Sequence, residues 1–252
     1  MISDKYDKYV EENSDLLLKF DSSLFIGPQW PTPIEYRKPI TVLDVMELGG
    51  ETWKDRMYRM LRPMSTTCKA CSMCDLGKKV NSNGDDPHVF STMSPSKWMV
   101  IGQNPGANEC KQGKPFVGAA GEFFDKVIKK NGLSRHEFYI SNAVKCYTEN
   151  NEKPTFLHNQ RCRPFIQMEI QLLRPILIVT LGAVAFDVFC PELKLSDHLG
   201  KVVESSTFED QKIYPVYHPS PRNMSVSERK AKFIKDIAKL CKLIKMYQDD
   251  NS

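Results

Sequence analysis

The stretch Ile101–Gly121, IGQNPGANECKQGKPFVGAAG, narrows the choice of folds more than any other part of the chain. It begins where the apolar run Trp98-Met99-Val100-Ile101 stops and ends where helix-like spacing opens at Ala119–Asn131. A strand that gives way to a Gly/Pro loop and then a helix exposes backbone N–H groups at the carboxyl edge of a sheet, where α/β proteins bind ligands. Alone, such a loop reads equally well as a glycine-rich βα connection. Three further segments repeat the arrangement: Glu137–Ser141 runs into Asn142, Ile176–Leu181 into Gly182, and Ile213–Tyr217 into His218-Pro219-Ser220-Pro221. In a parallel sheet the residues that follow strand ends gather on one edge, so Gln103, Asn104, Asn142 and His218 are expected to converge in a polar site.

The 252 residues suffice for one domain with a real core plus an extension. A net charge of +4, with acidic residues nearly balancing basic ones, permits nucleic-acid binding without demanding it. No window approaches the apolar length of a membrane span, and Met1–Phe20 is too acidic and polar for a signal peptide, so a soluble, cytoplasmic protein is expected. In that compartment eight cysteines argue for metal binding or reduced thiols rather than a disulfide framework. Cys68-x-x-Cys71-x-x-Cys74 is a tight thiolate group in a loop, and Cys146 and Cys162 form a second group. Two such groups can close a four-thiolate site for an iron–sulfur cluster or for zinc, and spacing does not choose between them.

Taken in order, Met1–Phe20 reads as a short helix, Leu24–Ile40 as a proline-rich extended segment, and Thr41–Leu61 as one or two helices. Residues 1–62 are thus an extension that packs on the domain formed by 63–252. Within that domain the pattern predicts helices over Ala119–Asn131, Thr155–Arg174 and Ser225–Tyr247, the first stopped by Gly132 and the second by Pro175. Cys146–Pro154 reads as an irregular loop, and Pro191–Gln211 as a loop with an outer hairpin-like passage.

The ordered motifs Gly102-Gln103-Asn104-Pro105-Gly106, Gly113–Gly121 (GKPFVGAAG), Tyr139–Cys146 (YISNAVKC), Leu181–Ala185 (LGAVA) and His218–Pro221 (HPSP) resemble the iron–sulfur (family four) uracil-DNA glycosylases. The resemblance runs from about Cys68 to the C-terminal helix. It implies a three-layer α/β/α sandwich around a mainly parallel four-stranded sheet, and a monofunctional hydrolase that removes uracil from DNA and leaves an abasic site. It also implies a [4Fe–4S] cluster held by Cys68, Cys71, Cys146 and Cys162, with Cys74 a spare neighbour and zinc the lesser candidate. DNA containing uracil is the expected partner and a monomer the expected state.

The residues suit that chemistry. An extruded base needs a flat apolar surface, and Phe116 could stack on it for about 1–3 kcal/mol. Asn142 offers one acceptor and one donor, matching uracil N3–H and O4, where cytosine presents the opposite polarity. His218 could donate to uracil O2 as the bond breaks, with Ser220 on a phosphate and Gly102 backing the base. Gln103, Asn104 and Asn151 are the candidates for handling the attacking water. Here the chain departs from the family: Gln103 stands where Glu is usual, Asn104 orients a water but is a poor base, and Thr148-Glu149 and Glu152 replace Pro-Pro and Arg. Two other readings stay open, a hydrolase of free deoxynucleoside monophosphates on the same fold and a non-catalytic DNA- or partner-binding module.

Overall fold

The computed structural model describes residues 74–78, 89, 91–92, 94 and 96–250. The readings made for 1–62, including the extension and its helices, and for Cys68 and Cys71 lie outside the described residues. After the short helix α1 (Asp75–Lys78), strand β1 (Trp98–Gly102) is buried along its whole length, WMVIG alternating between two cores. Met99 and Ile101 pack into one apolar cluster, Trp98 and Val100 into another. Successive strand side chains point to opposite faces, so an unbroken apolar run is what a sheet covered on both sides requires.

The chain then forms α2 (Ala107–Gln112), α3 (Ala119–Lys130), β2 (Tyr139–Asn142), α4 (Phe156–Leu173), β3 (Leu177–Leu181), α5 (Ala183–Asp187), α6 (Leu195–His198), β4 (Val203–Glu204), β5 (Lys212–Val216), α7 (Pro221–Met224) and α8 (Ser227–Asp250). The sheet order is β2-β1-β3-β5-β4. The first four of these strands are mutually parallel, and β4 adds an antiparallel edge by pairing with β5. On one face Phe165, Ile166 and Ile170 of α4 and Phe186 of α5 cover the sheet. On the other lie Phe124 and Ile128 of α3 with Phe233, Ile237, Leu240 and Ile244 of α8.

This is the three-layer α/β/α sandwich expected, with the four parallel strands in place and the hairpin-like passage supplying the short fifth. Helix α4 is started by Thr155, whose hydroxyl accepts from His158 N at 3.3 Å while His158 Nδ1 receives Thr155 N–H at 3.2 Å. It stops at Arg174, which takes a left-handed conformation (φ 45°) just before Pro175.

Candidate active site at the carboxyl edge of the sheet

The ends of β1, β2 and β5 open onto one cavity of about 700 Å³, whose lining includes Gln103, Asn104, Phe116, Asn142, His218 and Ser220. In the parallel register Gly102 stands opposite Asn142. A Cβ on Gly102 would enter the Phe116 ring and come within 2.6 Å of Asn142 Oδ1, so the missing side chain is what lets ring and amide share the floor of the site. Phe116 itself has a left-handed backbone (φ 54°) that costs a non-glycine residue energy, and it is buried. Two bonds oppose that strain: Glu109 Oε1, on α2, accepts from Val117 N at 2.9 Å and from Gly118 N at 2.7 Å.

Asn142 is 1 % exposed, and neither its Oδ1 nor its Nδ2 has a hydrogen-bond partner among the described residues. Leaving both ends of a buried amide unmet costs about 1–3 kcal/mol for each group. The fold tolerates that cost at the wall of a cavity, next to an aromatic ring.

His218 stands across the cavity, its ring centroid 6.3 Å from that of Phe116 and tilted by 44°. Gly182 at the end of β3 (φ 86°) seats it, since a Cβ there would lie 2.9 Å from His218 Cβ. Asn223 Nδ2 donates to His218 O at 3.0 Å and fixes the loop from the other side. Burial pushes the imidazole down to about 4 against a weaker upward pull from the Glu109 charge, so the ring is neutral at physiological pH. Ser220 caps α7, accepting from Asn223 N at 3.4 Å.

Gln103 and Asn104 bind each other. Gln103 Nε2 donates to Asn104 Oδ1 at 2.9 Å, and Asn104 Nδ2 donates to Pro105 O at 3.0 Å and to Thr148 Oγ1 at 2.9 Å. Thr148 passes its proton on to Glu152 O at 2.7 Å. Asn104 is therefore committed to a hydrogen-bond chain, and Thr148, noted from sequence only as a departure, is its anchor. Glu109 was missed altogether, because its effect on the Phe116 loop requires α2 to fold back on it. Lys153 and Arg222 also line the cavity. Asn151 lies in the 3₁₀ turn Glu149–Asn151, and its backbone position is all that is described.

Residues 89–241 match the family model of the uracil DNA glycosylase superfamily. A type-4 uracil-DNA glycosylase of Thermotoga maritima is 31% identical over 188 residues, which is 74% of this chain and 95% of that protein. The chain belongs to the type-4 uracil-DNA glycosylases. Two further type-4 enzymes agree: that of Archaeoglobus fulgidus is 32% identical over 157 residues (60% of this chain, 77% of that protein), and that of Sulfurisphaera tokodaii 34% over 152 (56% and 69%).

In this type-4 glycosylase Cys74, Cys146 and Cys162 lie together in one buried cluster with Leu76 and Val144. The three thiols are 5 %, 3 % and 5 % exposed, a dry nest of the kind that suits thiolate–metal bonding. Cys74, read from sequence as a spare neighbour, is thus packed with Cys146 and Cys162. Its segment is pinned to α4, since the exposed Asp75 carboxylate pairs with His158 Nε2 at 2.9 Å and Arg161 at 3.8 Å. Among the described residues no helix is long and apolar enough to cross a membrane.

Proposed function

We propose that the protein is a monofunctional uracil-DNA glycosylase, hydrolysing the N-glycosidic bond of uracil in DNA as the first step of base excision repair. The observation that carries this reading is the unmet, buried Asn142 amide in one cavity with Phe116 and His218. An extruded uracil stacks on Phe116, while Asn142 Nδ2 donates to O4 and Oδ1 accepts from N3–H. Cytosine would set donor against donor and acceptor against acceptor in a dry site, which is costly.

As the glycosidic bond breaks, charge grows on uracil O2, and the neutral His218 ring donates an N–H to it. The Gln103–Asn104–Thr148 chain uses Gln103 Nε2 and leaves the side-chain Oε1 of Gln103 as acceptor for a water, with Asn151 the second group assigned to it. Neither amide is a strong base, so the path is one in which the base departs early and water captures an oxocarbenium-like sugar. Gly102 backs the base. Ser220, Lys153 and Arg222 take the phosphates at the cavity mouth. The enzyme works as a monomer on DNA inside the cell, with residues 63–252 as the catalytic domain.

A [4Fe–4S] cluster would be held by Cys146 and Cys162 with two of Cys68, Cys71 and Cys74, and the packing of Cys74 with the first two favours it as one of them. When bound it would supply thiolate bonds tying the segment of Cys74 to those of Cys146 and Cys162. Iron and sulfide analysis with absorption at about 400 nm tests it, and zinc in their place would refute it.

The deciding experiment incubates the purified protein with a uracil-containing oligonucleotide and then with alkali. Strand scission is expected, reduced about 10²-fold in rate by His218→Ala. Asn142→Ala should cost about 1–3 kcal/mol, tenfold or more. Release of uracil from dUMP without scission of the oligonucleotide would replace DNA by free nucleotide as the substrate.

A further inference from the structure

Behind Asn142 lies a charged pair that the chemistry above does not use. Lys145 and Glu169 are both wholly buried, 0% exposed, with Lys145 Nζ 2.8 Å from Glu169 Oε2 and 2.9 Å from Oε1. The same ammonium donates to Ser141 Oγ at 2.7 Å and to the main-chain oxygen of Asn142 at 2.8 Å. Ser141 Oγ in turn donates to Glu169 Oε1 at 2.8 Å. Both carboxylate oxygens are occupied, and the ammonium has more acceptors than protons to give. A buried ion pair is a poor way to stabilise a core, because apolar residues of the same size do as well without the desolvation cost.

What it grips is the peptide of Asn142, the last residue of β2, the edge strand of the sheet, whose outer side is bonded at Ile140 by Thr92. The Asn142 side chain makes no hydrogen bond among the described residues, so its aim depends on its own backbone and on the packing around it. Lys145 holds that backbone, and Glu169 ties Lys145 to α4, two turns beyond Cys162 on the same helix. Resting on the uracil reading above, we propose that Lys145 and Glu169 are positioning residues for base recognition, aligning the Asn142 amide by gripping its main chain.

The test uses full-length, iron-loaded enzyme and reads inhibition by free uracil together with kcat and KM on a uracil oligonucleotide. In K145M/E169Q, a neutral pair of similar volume, kcat should fall and the inhibition constant for uracil rise, each about tenfold, with KM within twofold. The decisive comparison repeats the double change on Asn142→Ala. If the pair acts through Asn142, removing it there weakens uracil binding less than twofold, because coupled groups are not additive. Equal losses in both backgrounds, or no loss in a variant that keeps its iron and melting temperature, would overturn the proposal. Should K145M/E169Q not fold, K145Q/E169M is read in the same way, and failure of both to fold would assign the pair to folding and refute the positioning role. Wild-type protein that neither cuts the oligonucleotide nor binds uracil would instead refute the glycosylase reading itself.

Discussion

A methyl group added at Gly102 would have to share space with the Phe116 ring and the Asn142 amide, neither of which can retreat in a buried site. Gly102→Ala should therefore lower kcat/KM by about 10²-fold or more, with a stability loss of about 1–3 kcal/mol from overpacking, read by single-turnover kinetics and thermal melting. Glu109 offers a finer cut. Glu109→Gln keeps an oxygen for Val117 N and Gly118 N, whereas Glu109→Ala frees the strained Phe116 loop; Gln should retain most activity and Ala lose about tenfold or more. Nitrogen chemical shifts of His218 should show a neutral ring down to about pH 4. Because the ring ordinarily titrates at 6.5, the unfolded chain takes up the proton first as pH falls. The stabilising contribution is then complete above 6.5 and is lost between 6.5 and about 4. A native titration near 6.5 would contradict the burial. Of these residues Asn142 and His218 were legible from sequence because each stands at a strand end, and Phe116 because it sits in the Gly/Pro motif Gly113–Gly121. Glu109 was not, since an acidic residue in a polar stretch is indistinguishable from a solvated one. Lys145 and Glu169 were hidden for the opposite reason: lone charges far apart in sequence carry no sign of being buried together.

At the scale of elements, the four parallel strands were read within a few residues as unbroken apolar runs, and the three long helices from the period of their apolar faces. Helix α2 was not read at all, and its burial pattern explains why: it has no buried residue and so no periodic stripe to betray it. Strand β4, two residues long and no more than half buried, was legible only as part of a hairpin-like passage. Helix α4 is the element with most depending on it, since it carries Cys162, Glu169 and the His158–Asp75 contact. Thr155→Ala should cost about 1 kcal/mol, or about 2–4 °C in Tm, by removing the cap at its start. Cys74→Ala should lower the iron content of purified protein as far as Cys162→Ala does; full iron retention would return Cys74 to the role of a bystander.

For the whole molecule, a net charge of +4 is too small to pull DNA in from a distance, so attraction must be concentrated near the cavity mouth, where Lys153 and Arg222 stand. Log KM on DNA should rise linearly with log salt, and Arg222→Ala should reduce the slope by about one without changing kcat. Free uracil should raise the melting temperature of the wild type and leave that of Asn142→Ala almost unmoved. The cavity draws on chain positions from 103 to 223, with strands that are neighbours in space but not in sequence. On the proposed reading, a chain cut short of His218 would hold the amide that reads the base and lack the imidazole that assists its departure. No single stretch of the chain carries the proposed chemistry, so on that reading cutting waits until β2 and β5 stand in the same sheet.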